Sequence, residues 1–174
     1  MLQARHEKKK ELTEVFIDDV ELTEEQEKLE KLSSSEKDVM NKIIDWLKVN
    51  RDYRNEDFSD KFKAERIIPL IKYVNYGDLI FEENTIKHKL RRPLEFKNAS
   101  GQTGRTLETL TFQPRYQDYQ LQNASKGIDL NREGLKFVSA QISVLTGEAA
   151  SVISKLWDFD SSIAKLISSL YFLE

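Results

Sequence analysis

Four cations crowd the stretch KHKLRR, which carries Lys87, Lys89, Arg91 and Arg92. Such a strip can neutralise phosphates along a nucleic-acid backbone. Alternation in an extended chain sends Lys87, Lys89 and Arg91 to the solvent side, where charges on an edge strand also keep sheets from pairing with one another. The stretch SGQTGR, from Ser100 to Arg105, bears two glycines but lacks the GxxxxGK[ST] spacing of a phosphate loop and opens no helix. Carboxylate pairs stand at Asp18 and Asp19, Glu82 and Glu83, and Asp158 and Asp160. Each has the groups to hold a hard cation or to move a proton, yet no second motif converges on any of them. Asp160 reads as a helix cap. His6 and His88 are far apart and flanked by Lys and Arg, which repel a divalent cation. Read as lying in charged, solvated stretches, neither histidine offers a base to a serine nucleophile. These residues predict no catalytic group, no metal site and no cofactor.

The elements that carry these side chains must come from 174 residues, 39% of them hydrophobic, enough to bury a core. Charged residues reach 33%, but the signs nearly cancel at a net charge of -3, so no global field draws the chain to DNA or a membrane. The absence of cysteine excludes disulfides, zinc ribbons, thiol catalysis and iron–sulfur clusters. The opening MLQARHEKKKELTE is charged where a signal peptide needs an apolar run, and no stretch of about 18 apolar residues occurs. A soluble protein of the cytoplasm is expected.

Along the chain, EVFIDDVEL places Val15, Ile17, Val20 and Leu22 close together as a short strand. The Glu- and Lys-rich run that follows offers only Leu22, Leu29 and Leu32 as anchors, the pattern of a mobile arm or a partner-dependent helix. Ser33 and Glu36 have capping-box spacing ahead of Val39, Ile43, Trp46, Leu47 and Val49, which predicts an amphipathic helix over 34–50. Phe58, Phe62 and Ile67 line a further helix expected to end before Pro69, because proline disfavours a helical predecessor. For IIPLIKYVNYGDLIF, helix and strand readings compete. Ile86, Leu90, Leu94 and Phe96 alternate on one side, Leu110 and Phe112 follow, and KNASGQTGR lies between, which predicts a β-hairpin with Pro93 at an edge or bulge. Pro114 then starts a helix that Gly127 ends.

Leu135, Val138, Ile142 and Leu145 form a one-sided stripe that Gly147 stops, Val152, Ile153 and Leu156 face inward on a second short helix, and Asp160 caps a third through Ile163, Leu166, Ile167 and Leu170. One uninterrupted helix would leave its stripe uncovered. Breaks at Gly147 and at Asp158 to Asp160 let three short helices bury their stripes on each other, at about 1.5–3 kcal/mol for each fully buried Leu or Ile. Gly147 is expected at positive φ.

The order hairpin, LTFQPRYQDYQL, a helix ending in LTG, then VISKLWDFDSSIAKLISSLY resembles the small tail assembly chaperones of contractile-tailed, Mu-like phages. The matching positions are Leu110, Thr111 and Phe112, then Leu145, Thr146 and Gly147, then Lys155, Leu156 and Asp160, within residues 86–172. Family members are little more than that matched half, so residues 1–85 are an addition in front. The resemblance implies a non-enzymatic protein that coats the tape measure protein before the tail tube polymerises, with tape measure protein, tail tube protein and further copies of itself as partners. It implies no nucleic acid, membrane or small-molecule substrate.

The expected fold is α+β, mainly α: a helical N-terminal region with a charged arm over 1–85, then over 86–174 a central β-hairpin and a cluster of about four short helices. Trp157 and Phe159 flank a break, and Leu166, Leu170, Tyr171 and Phe172 extend the last stripe beyond what one face can bury. These six are the candidate partner-binding residues, since large aromatics anchor interfaces. The alternative is that they complete the core. A second function from another class, a small DNA-binding regulator, would use the basic hairpin.

Overall fold

A computed structural model describes residues 22–129 and 132–172. The strand expected over EVFIDDVEL and His6 lie outside the described residues, apart from Leu22. Helix α1, Glu24–Glu30, is set by a reciprocal capping box between Thr23 and Gln26 and by Lys28–Glu24 and Lys31–Glu27 pairs one turn apart. The Glu/Lys run is thus a helix here, with Leu29 and Leu32 half-buried. Helix α2, Ser34–Arg51, carries the predicted box: Ser33 Oγ accepts from Glu36 N at 3.3 Å, and Ser33 N donates back to Glu36 Oε2 at 2.9 Å. Ile43 and Leu47 on its inner face are fully buried.

The helix expected to stop before Pro69 does not stop. Helix α3, Asp60–Phe62, widens into a π-turn over Lys63–Ile67 and runs on as α4, Ile68–Asn75. The Ile68 amide reaches the carbonyl of Lys63, five residues back. That wide turn makes room for a proline ring that would clash in a regular α-turn, and Pro69 becomes one of the first residues of α4, where its missing N–H costs nothing. The ambiguous stretch therefore divides. It is helical to Asn75, turns at Gly77 with φ +76°, and continues as strand β1, Leu79–Phe81.

Strands β2, Ile86–Lys97, and β3, Thr103–Phe112, form the predicted hairpin, and β1 adds antiparallel to β2, giving the order β1-β2-β3. Ile86 pairs with Phe112 and His88 with Leu110, then the register slips between Lys89 and Leu94. Pro93 sits inside that slip, where no ladder amide is required. Helices α5, Asp118–Ala124, α6, Gly134–Thr146, α7, Ala150–Ile153, and α8, Asp158–Ser169, complete the chain. Helix α5 begins four residues after Pro114 and ends before Gly127, which has φ +81°. Gly147 ends α6 at φ +73°. The architecture is α+β and mainly helical.

One apolar cluster joins Ile43 and Leu47 of α2, Leu70 of α4, Ile86 and Phe112 of the sheet, Leu145 of α6 and Ile167 of α8. The boundary expected after residue 85 falls in the β1–β2 turn, closed by Glu82 N donating to Thr85 O, and both sides of it contribute to this core.

Candidate recognition groove

Helices α6, α7 and α8 fold back on one another across two breaks: the first is at Gly147 as expected, and the second falls at 154–157, ahead of the expected Asp158 to Asp160, which form the first turn of α8. Between them, with the end of α5, lies a groove of about 550 Å³. Ala140, Ile153 and Leu156 form an apolar floor, and all three side chains are buried. Serines 139, 154 and 161 line the walls, and Lys136 and Lys165 stand at the margins. Leu135, expected inside on the stripe with Val138, Ile142 and Leu145, lines the groove instead and is 73% exposed. It stands in the first turn of α6, ahead of the buried positions Ala140, Ile142 and Leu145.

The six candidate partner-binding residues separate into two groups. Leu170 and Tyr171 are core residues, 0% and 2% exposed. Two long-range hydrogen bonds end on them, Tyr53 Oη donating to Leu170 O at 2.7 Å and Arg51 Nη2 to Tyr171 O at 2.9 Å, and Arg66 Nη1 donates to the neighbouring Ser169 O at 2.8 Å. These donors, with Arg66 also reaching Phe172 O, satisfy carbonyls that the end of α8 would leave open. Burial pushes the Tyr171 hydroxyl far above the usual tyrosine range. Phe159 is half-buried between Tyr73 and the Arg91 guanidinium, Leu166 is half-buried against the core, and Phe172 packs on Tyr116. Only Trp157 keeps half its surface in solvent, 52%, with Arg92 stacked 4.3 Å from its ring centroid. None of the six lines the groove, although Leu156 and Asp158, on either side of Trp157, do.

Part of the basic strip is paired within the fold. Lys87 pairs with Glu82 at 2.7 Å and Arg91 with Asp78 at 2.8 Å, while Arg91 and Arg92 also lie over Phe159 and Trp157. Lys89 and Arg92 remain exposed, a short segment beside the several contacts a phosphate-tracking surface uses.

Asp160 does not cap α8. It is the third residue of the helix, 1% exposed, and its carboxylate turns to β2, accepting from Arg91 N at 3.1 Å and Arg92 N at 3.3 Å. His88, placed by its flanking charges in a solvated stretch, is fully buried, with Nε2 3.3 Å from Asp160 Oδ1. Its position at even spacing with Ile86, Leu90 and Leu94 was the available signal. Burial lowers the His88 pKa below the ordinary histidine value, against the raising influence of Asp160 and Asp78, so the ring is neutral near pH 7.

Among the described residues no group of three or more His, Cys, Asp or Glu side chains is placed to hold a metal ion, and no helix is long and apolar enough to cross a membrane. Comparison with protein-family models, curated proteins and solved structures gave no match. The site is therefore defined by its own geometry: an apolar floor, hydroxyl-bearing walls, two lysines and an exposed leucine. Small walls let another backbone come close, and an apolar floor with a polar rim is the form of a groove that takes one face of an amphipathic helix.

Proposed function

We propose that the protein is a non-catalytic tail assembly chaperone of a phage or prophage, acting in the host cytoplasm, which seats an amphipathic helix of the tape measure protein in the groove between α6, α7 and α8. The observation that carries this reading is Leu135, a large apolar side chain left 73% exposed at a groove whose floor is Ala140, Ile153 and Leu156. Exposed apolar surface beside a concave apolar floor is a feature of surfaces awaiting a partner. Trp157, at the α7–α8 turn, supplies an aromatic anchor next to the same groove. The end of the hairpin and the LTG turn, which the family resemblance uses, are joined where Gln113 N donates to Leu145 O at 2.8 Å, at the end of the α6 helix that lines the groove. A chaperone of this kind needs many modest contacts and release without chemistry, and a shallow groove of small side chains provides both.

Co-expression with a candidate tape measure protein tests the reading. The chaperone keeps that protein soluble and co-purifies with it, and Leu135→Asp removes both effects while leaving the circular dichroism unchanged. A protein that leaves the helical partner insoluble and instead retards a DNA probe, with salt dependence lost on Lys89→Ser and Arg92→Ser substitution, is the regulator and not the chaperone.

A further inference from the structure

The wall of the groove formed by α8 meets the sheet at a buried polar cluster centred on Asp160. Asp160, in the first turn of α8, accepts main-chain N–H groups from Arg91 and Arg92 on the bulged part of β2. His88, on the same strand, directs Nε2 at that carboxylate from 3.3 Å, and neither of its ring nitrogens has a well-formed hydrogen bond. The charged groups facing the ring are Asp160 from α8, Asp78 from the turn between α4 and β1, and Arg91 on its own strand. Hydrophobic neighbours close the remainder: Leu79 on β1 and Leu110 on β3 are its cross-strand partners, and both are buried.

We propose that His88 and Asp160 form an acid-sensitive latch between β2 and α8, which holds the α8 wall of the groove in place at neutral pH and releases it on acidification. A proton added to His88 makes Nδ1 a second donor with no acceptor in reach, in a site with no water-accessible surface. Burial is the dominant influence on the ring: Asp160 and Asp78 attract the added charge and the Arg91 guanidinium opposes it more weakly, but the loss of water outweighs that attraction. Separating α8 from β2 lets the imidazolium reach water, at the expense of the Asp160 bonds to the Arg91 and Arg92 amides. Residues Asp158, Ser161 and Lys165 move with the start of α8, so the groove loses one side. The consequence for a bound helix rests on the groove being the binding face, whereas the latch itself does not.

Amide hydrogen exchange on the full chain, followed as protection factors from pH 7.5 to 5, tests the latch without a partner. Protection over α8 and residues 88–92 falls by up to about tenfold per pH unit below pH ~6.5, the limit for uptake of one proton, while α2 holds its protection. His88→Gln, which keeps an N–H to offer Asp160 and cannot take up a proton in this range, flattens the response. In wild-type protein the His88 ring, distinguished in NMR spectra from His6 by a His6→Asn control, titrates below pH ~6.5. An equal loss of protection in His88→Gln, or a His88 ring that titrates at or above that value, overturns the proposal. The ring titration decides the matter alone if His88→Gln does not fold. Acid release of a helical partner is a separate readout: its absence alongside a functioning latch counts against the groove reading only.

Discussion

Replacing Asp160 with alanine separates a helix-capping residue from a staple between helix and sheet. A carboxylate that merely sits in the first turn of a helix contributes about 0.3–1 kcal/mol through the helix dipole. Asp160 is buried and accepts two main-chain hydrogen bonds, at 3.1 and 3.3 Å, from a different element. Hydrogen bonds to a charged acceptor contribute about 1.5–3 kcal/mol each, and two sharing one carboxylate do not add fully, so Asp160→Ala is expected to lose about 2–4 kcal/mol. Asp160→Asn keeps an acceptor oxygen for one amide and loses about half as much. With a slope near 2 kcal/mol per molar urea, the alanine variant unfolds at least about 1 M urea earlier than wild type. A midpoint shift below about 0.3 M at pH 7.5 would refute the staple and return Asp160 to an ordinary first-turn position.

Three further outcomes are expected. Gly147→Ala puts a side chain at φ +73° with nothing within 4 Å of the new Cβ, so the backbone alone carries the penalty, about 1 kcal/mol, read as a fall of about 2–4 °C in a thermal melt. Stability rises with pH through the His88 window: the folded pKa is lowered, the unfolded chain binds the proton more readily, and the native state is favoured in full above about pH 6.5 and loses up to about 1.4 kcal/mol per pH unit below it. Urea midpoints of wild type and His88→Leu should therefore diverge between pH 7.5 and 5, with the variant flatter. Lys87→Ser breaks only the half-exposed pair with Glu82 and is expected to change stability by less than about 0.5 kcal/mol in the same assay.

Local signals along the chain foretold local structure well. Ser33 with Glu36, the glycine-bearing hairpin loop, Pro93 at a bulge and Gly147 at positive φ all act within a few residues, where spacing and backbone sterics decide the outcome. Features decided by distant partners were not legible. Pro69 continues a helix because a π-turn precedes it, and Leu135 is exposed although the later stripe positions Ile142 and Leu145 are buried. Leu170 and Tyr171 are buried by Arg51 and Tyr53, more than a hundred residues earlier, which no local pattern announces. His88 shows two signals in conflict. Its neighbours argued for solvent and its alternation with Ile86 and Leu90 for the core, and the strand period won because one face of β2 is buried along its first half. The groove itself comes from small residues on three helices, and small residues carry no periodic signature.

The most direct test of a helix-binding groove is the affinity of purified protein for a candidate tape measure protein, compared between wild type and Leu135→Asp by titration calorimetry. Saturable binding with a negative heat-capacity change, weakened at least tenfold in a variant that melts like wild type, is the predicted result. Equal affinity in the two proteins, or no binding by either, would contradict it.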